Sequence, residues 1–317
     1  MSTPGPLLTI FTAPKPFTDP HIDLIQRNAI MSWKHLGSEV KILLIGEEAG
    51  MVDFSAEEGI QGLKAVSRNE QGTPLVSSIF ELARQNTTSP LLAYVNADIL
   101  LTPEFISLAK LVFDQAQEFL VVGQRWDLAV EQPMEFNPDW HVRLLFEVKT
   151  RGRLHPPGGS DYFIFPRNCF TKIPNFAIGR AGWDNWMFYH ARMNHWPVID
   201  VSSSLTVIHQ DHDYSHLPGG KPHYQMPESF ENIRLAGGRR TIFTLQDADY
   251  TIVSGKLQPL PLHGKRFWRS FETYPLIHWK SYPLAELTYA ICHPKKAFWE
   301  WRGRLAYKIS SSRQPQS

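Results

Sequence analysis

The first half of the chain alternates two apolar patterns. Leu7 to Ala13, "LLTIFTA", is a continuous apolar run of strand length. Prolines punctuate it at Pro14, Pro16 and Pro20. Then Ile22, Ile25, Ala29, Trp33 and Leu36 recur at the spacing of one helix face. Asp19-Pro20 stands before them as an N-cap followed by proline at the first helical position. "VKILLIG" (Val40 to Gly46) is nearly all apolar, as in a parallel strand covered on both faces. "LKAVS" is a short strand candidate, and Thr73-Pro74 repeats the cap before a helix in "LVSSIFELARQ". "LLAYVN" reads as a strand, Thr102-Pro103 as the cap of a third helix, and "FLVVGQ" as a further strand. Strands and helices alternating at this length predict an α/β domain whose sheet is mixed, mostly parallel and flanked by helices.

Beyond about Asp127 the alternation loosens. A helix is predicted in "DWHVRLLFEVKTRG", followed by the segments "GGSDYFIFPRNCF", "GWDNWMFYHARMN" and "VIHQDHDYSH". From Gly255 the composition turns aromatic and basic, as in "GKRFWRSF" and "KKAFWEWRGRLAYK". The expected organisation is a domain over residues 1–220 and a C-terminal helical, aromatic-basic elaboration over 221–317, packed on it.

Composition narrows the function. The 317 residues are 43% hydrophobic, enough for a sizeable core. Lys and Arg number 32 against 31 Asp and Glu, which argues against a general nucleic-acid binder. Two cysteines, Cys169 and Cys292, do not make a disulfide scaffold and are expected as reduced thiols. The opening "MSTPGPLLTIFTAPKP" lacks the basic and apolar regions of a signal peptide, and no window has the length of a membrane span. A cytoplasmic protein is expected, with a peripheral place at the inner face of the membrane left open by the C-terminus.

The chemistry-bearing residues lie where strands end, which is where ligands bind in an open parallel sheet. "YVNADILLTP" puts Asn96 and Asp98 at one such end. A hard divalent cation takes oxygen ligands and keeps substrate phosphates in its shell, so one carboxylate suffices beside a diphosphate. A plain polar turn is the competing reading. "TAPKP" after the first strand offers Thr12 and Lys15, or a proline-rich surface turn. No G-x-G-x-x-G follows that strand, and no G-x-x-x-x-G-K-[ST] occurs. In "AGWDNWMFYHARMN", Asp184 and Asn185 stand near a helix N-terminus, where the dipole favours an ionised carboxylate. Asp184 is a candidate general base or a capping residue. "VIHQDHDYSH" offers His209, His212 and His216, a set that can bind zinc or complete a hard-metal shell begun by Asp98. His209, expected immediately after the apolar strand run, is the preferred ligand and His212 the alternative. Asp161, after Gly158 and Gly159, is a sugar-hydroxyl ligand or a turn residue.

Taken in order, these segments resemble a GT-A glycosyltransferase, of the nucleotide-diphospho-sugar transferase superfamily and family-two-like. "TIFTAPKP", "SRNEQGTPLVSSIFELAR", "YVNADILLTPEF", "GGSDYFIFP", "GWDNW" and a late histidine carry the resemblance, from Leu7 to His216. "NAD" resembles the DXD motif with Asn96 in place of its first Asp. The resemblance implies a transferase that moves a sugar from a nucleotide sugar, UDP-linked by preference, to a glycan or lipid-linked acceptor, in polysaccharide or glycoconjugate biosynthesis. It implies Thr12 and Arg68 near the nucleoside, Asn96 and Asp98 on the donor, and Mn2+ or Mg2+ held by Asp98 and His209. It further implies Asp161, Trp183 and Asn185 toward the sugar or acceptor, and Asp184 as the base of an inverting displacement.

Two rivals stand beside it. One is a metal-dependent hydrolase built on His209, His212 and His216. The other is a non-catalytic nucleotide-sugar or carbohydrate-binding protein, favoured by Asn96. Separately, Lys265, Arg266, Arg269, Lys295, Lys296, Arg302 and Arg304 interleave with Phe267, Trp268, Phe298, Trp299 and Trp301. That mixture suits a membrane surface, or a packed helix pair with snorkelling cations.

Overall fold

The computed structural model describes residues 5–212 and 226–311, with side chains to residue 303. The elements run β1 (Leu8–Thr12), α1 (Pro20–Lys34), β2 (Val40–Ile45), α2 (Met51–Glu58), β3 (Gln61–Leu63), α3 (Val76–Gln85), β4 (Leu91–Val95) and β5 (Ile99–Leu100). They continue through α4 (Glu104–Phe113), β6 (Leu120–Val122), β7 (Trp126–Leu128), α5 (Trp140–Arg151), β8 (Arg153–Leu154), β9 (Tyr162–Pro166) and α6 (Trp183–Met193). Then come β10 (Val198–Asp200), β11 (Ile208–Gln210), α7 (Pro227–Leu235), β12 (Tyr250–Val253), β13 (Lys256–Pro259), α8 (Lys265–Trp279), α9 (Tyr282–Cys292) and α10 (Pro294–Ser311).

The fold is mixed α/β. Nine strands form the main sheet in the order β13-β12-β10-β6-β9-β4-β1-β2-β3. The pairs of β1 with β2 and β4, of β2 with β3, and of β10 with β6 and β12 are parallel. Only β9, inserted between β4 and β6, and the edge strand β13 run antiparallel to their neighbours. β1, β4 and β9 are buried along their whole length, which accounts for their uninterrupted apolar sequence. A second sheet, β5-β11-β7-β8, lies over its own small core of Leu100, Leu128, Trp140, Leu144, Val148 and Ile208.

Asp19 caps α1 as expected: its carboxylate accepts from the backbone N–H groups of His21 and Ile22. Three local expectations need correcting. α2 was not foreseen, because its eight residues are bracketed by Gly50 and Gly59 and carry a weak apolar stripe. β3 falls at Gln61–Leu63, slightly before "LKAVS". His209 lies within β11 and does not follow it.

The chain divides into two compact units, 1–260 and 261–317. The division expected at residue 220 falls earlier in the chain than this one, and earlier than the compositional shift at Gly255. Residues 226–260 instead supply α7, then β12 parallel to β10, then the hairpin partner β13. The second unit comprises α8, α9 and α10. Among the described residues no helix is long and apolar enough to cross a membrane. Cys169 and Cys292 are both free thiols.

Candidate active site

β4 ends at Val95, and the chain turns through Asn96-Ala97-Asp98 into β5. The turn is fixed from both sides. Asn96 N–H donates to the Asp161 carbonyl at 2.8 Å, and Ile99 N–H donates to the Asn96 carbonyl at 3.1 Å. β5 pairs antiparallel with β11, His209 opposite Ile99. That register sets His209 beside Asp98, 111 residues away in the chain by their numbering. Gln210 completes the joint: its amide donates to the carbonyls of Ile25 (2.6 Å) and Asp98 (3.1 Å).

Asp98, His209 and His212 form a group whose candidate ligand atoms lie within 4.8 Å of one another. His212 Nε2 is 3.2 Å from Asp98 Oδ2, and His209 Nε2 is 3.9 Å from the same oxygen. Ligands about 2.1 Å from an octahedral cation are separated by about 3 Å, so this grouping fits a divalent ion after small adjustments. A second observation agrees. Asp98 Oδ1 is buried with no hydrogen-bond partner among the described residues. Burial works against the charge on Asp98, but the hydrogen bond with His212 and the charges of His209 and Lys15 hold its pKa well below the usual carboxylate range. Lys15 Nζ reaches His212 Nε2 at 3.4 Å. Burial lowers the Lys15 pKa, and Asp98 opposes that shift.

Asp127, His209 and Asp211 form another such group. Asp127 is already occupied: it accepts from Arg125 (3.0 Å), Arg153 (3.1 Å) and His155 (2.8 Å). His209 Nδ1 stands 3.5 Å from Asp127 Oδ1 without hydrogen-bond geometry. The first group is therefore the better cation site. Its two histidines include both the preferred ligand and the alternative. His216 lies outside the described residues.

Asn96 does not point freely outward. Its Oδ1 accepts from the Tyr94 hydroxyl at 3.0 Å, and its Nδ2 donates to Asp161 Oδ1 at 3.0 Å. Arg125 also donates to Asp161 Oδ1, at 2.6 Å. Burial first, and then the charges of Asp98, Asp161 and Asp184, push the Tyr94 pKa far up. Asp184 stands at the start of α6 and accepts a long bond from Gly182 N–H, 3.3 Å. Burial raises the Asp184 pKa, backbone N–H groups oppose this, and Asp161 adds to the rise.

The remaining expected residues divide. Thr12, at the end of β1, has a buried hydroxyl with no partner among the described residues. Arg68 pairs with Glu48 at 2.9 Å and donates to the Gly72 carbonyl. Trp183 is buried edge-on against Tyr94, with centroids 5.0 Å apart, and against Phe163 and Phe80. Asn185 donates to the Phe243 carbonyl at 2.8 Å. Trp183 is thus committed to packing, and the Asn185 amide to anchoring the segment before residues 245–247.

Arg125, Asp127 and His155 were not singled out from the sequence. Their signal is period two: Arg125 just before and Asp127 on β7, Arg153 on and His155 just after its antiparallel partner β8. Alternate residues share a face, but only the strand pairing says which faces meet.

No family model matches this chain. No curated protein matches it either. Similar solved structures include S. aureus TarS 1-349 in complex with UDP-GlcNAc, at 11% identity and a TM-score of 0.47, covering 72% of this chain and 65% of that one. Another is glucosyl-3-phosphoglycerate synthase from Mycobacterium tuberculosis in complex with phosphoglyceric acid, at 12% identity and 0.46, covering 81% and 88%. A third is the mannosyltransferase PcManGT from Pyrobaculum calidifontis in complex with GDP-Man and Mn2+, at 12% identity and 0.42, covering 67% and 59%. This chain thus spans less than two thirds of the TarS and PcManGT structures. With TM-scores below 0.5, none of these likenesses bears on its chemistry.

Proposed function

We propose that the protein is a metal-assisted glycosyltransferase acting on a nucleoside diphosphate sugar. The observation that carries the reading is the grouping of Asp98, His209 and His212 beside the end of β4, with Asp98 and Asp184 both near enough to act on the buried Tyr94. Asp98, His209 and His212 would hold Mn2+ or Mg2+. When bound, the ion neutralises charge on the departing diphosphate. Lys15 adds a cation on that side. Asp184 takes the proton of the acceptor hydroxyl as its oxygen bonds to the anomeric carbon and the bond from that carbon to the phosphate oxygen breaks. A carboxylate whose pKa is raised by burial is a stronger base than an ordinary aspartate. An inverting outcome follows if that attack comes from the face opposite the diphosphate. A UDP-sugar donor and a glycan or lipid-linked acceptor belong to the same reading. A lipid-linked acceptor would bring the protein to the membrane surface expected from its C-terminal segment.

The test is a thermal-shift panel of UDP-, GDP-, CMP- and TDP-sugars with and without Mn2+, followed by turnover of whichever donor binds. UDP-GlcNAc and GDP-Man, named for similar structures, are the first probes. Stabilisation is expected only with metal and nucleotide together. Asp98→Ala and Asp184→Asn should each lower turnover at least about a hundredfold with the fold retained. Wild-type-like turnover in either overturns that assignment.

One observation favours a second reading. One carboxylate and two histidines also suit zinc, so a hydrolase is the rival. Zinc retained through purification, with no response to any nucleotide sugar, decides for it.

A further inference from the structure

Residues 261–317 carry ten Lys and Arg against three Asp and Glu, a net charge of +7. Residues 1–260 hold the other 22 Lys and Arg against 28 Asp and Glu, a net of −6. The overall +1 therefore conceals a strong separation of sign along the chain.

The helices of this second unit also invert the usual placement of apolar groups. α8 buries Glu272 and Thr273 beside Leu276 and Ile277. Its aromatic residues Phe267, Phe271 and Tyr274 recur at helical spacing, and all are exposed. In α9, Leu284, Leu287 and Ile291 form a second exposed stripe of the same period. In α10, Phe298, Trp299 and Trp301 are each more than half exposed. Isolated apolar side chains at a surface are ordinary, but runs of them exposed on three successive helices mark a contact surface.

The charges decide its partner. Between residues 261 and 303 the exposed Lys, Arg, Asp and Glu residues are all cationic: Lys265, Lys280, Lys295, Lys296 and Arg302. The three acids are less exposed: Glu272 is buried, and Glu286 and Glu300 are half-buried. Glu272 is buried between Arg269 (2.7 Å) and His293 (2.9 Å), and Glu300 accepts from the Tyr289 hydroxyl at 3.3 Å. Arg302 lies over the rings of Trp299 and Phe298, so cation and aromatic are interleaved on one helix. Nucleic acid would use the cations and stack on the aromatics, but it has no use for the aliphatic Leu284-Leu287-Ile291 stripe. Two such faces meeting in a dimer would oppose cation to cation. An anionic lipid surface takes all three features together, with aromatic and aliphatic side chains entering the headgroup region and cations meeting phosphates.

We infer that α8, α9 and α10 form a docking surface for an anionic membrane leaflet. The surface is chemically independent of the Asp98 site, and the two can fail separately.

Co-sedimentation of the full chain with vesicles tests it. Phosphatidylcholine alone is compared with phosphatidylcholine containing about 30% phosphatidylglycerol, a strongly anionic surface. Partitioning onto the anionic vesicles is expected to exceed that onto the neutral ones by at least about tenfold. The variant Trp268→Ser/Phe271→Ser/Trp299→Ser alters side chains 58%, 41% and 65% exposed, so its melting should match wild type. It should lose at least about tenfold in partitioning. Lys295→Glu/Lys296→Glu/Arg302→Glu should erase the preference for anionic lipid. Asp98→Ala should sediment like wild type, which separates this proposal from the transferase reading. Failure to sediment with anionic vesicles overturns the inference, as does wild-type partitioning of the apolar variant. Tighter binding to duplex DNA than to the vesicles, or dimerisation through this face that excludes them, also overturns it.

Discussion

At the end of β4 the Asn96 amide donates to Asp161 Oδ1, the oxygen that also receives Arg125. An aspartate at 96 would set a second carboxylate about 3 Å from the first, with one guanidinium to serve both. The substitution that weakens the DXD resemblance is therefore locally self-consistent. Asn96→Asp should destabilise the fold by about 1–2 kcal/mol near neutrality. The pKa of one member of the new pair rises on folding. The penalty is then full above that raised pKa and fades as pH falls through it. Urea unfolding at roughly pH 8 and roughly pH 5 measures this, and an equal loss at both would refute the electrostatic account. Asp184 makes the companion prediction. As a base it works deprotonated, and burial raises its pKa above the ordinary 3.8. The acid limb of kcat/KM for the transferase should therefore lie above that value. A flat profile through it would remove Asp184 from the role. Asp98, Asp161 and Asp184 could be singled out in the sequence as candidates because each stands at a strand or helix boundary that local pattern reveals. Arg125 and Asp127 were not, because their importance exists only once β7 meets β8 and Asp161 arrives from β9's N-terminal turn.

Among elements, the decisive one is β11, three residues long and paired with β5 antiparallel and β7 parallel. No periodicity can be read from three residues, which is why His209 was expected beyond the strand. Its neighbour Gln210 is fully buried and ties α1, the Asp98 turn and β11 together. The Gln210 side-chain oxygen also accepts from Asn28 Nδ2 at 3.3 Å. Gln210→Ala leaves the Ile25 carbonyl without that side-chain donor and creates a small void. Its expected cost is about 2–4 kcal/mol, larger than most single hydrogen bonds because buried polar atoms lose a partner. Because the Asp98 turn loosens with it, the metal-dependent part of the nucleotide thermal shift should shrink as well. An unchanged melting temperature would mean that β11 is held by its ladder alone. The long strands and α1 needed no such knowledge, since their apolar runs and the Asp19-Pro20 cap specify them locally.

At the scale of the whole molecule the two units differ in how they could be stable. The first has an extensive core along one face of β1, β4 and β9, with Phe11, Tyr94, Phe163 and Phe165 of the same strands also buried. In the second, the buried hydrophobic side chains among described residues are Leu276, Ile277 and Ala285. So few cannot offset the entropy of ordering some fifty residues, at about 1–2 kcal/mol each for the backbone. The exposed aromatic and aliphatic stripes hold the burial that the unit lacks. A surface that covers them would supply it, and binding the folded form would stabilise it by mass action. Amide hydrogen exchange measures this directly. In solution, amides of α8, α9 and α10 should exchange orders of magnitude faster than those of β1 and β4, which open only with the global fold. Added anionic vesicles should slow exchange in the three helices and leave β1 and β4 unchanged. Helices already protected like β4 without lipid would show that the unit is stable on its own and that its exposed stripes are not needed for order.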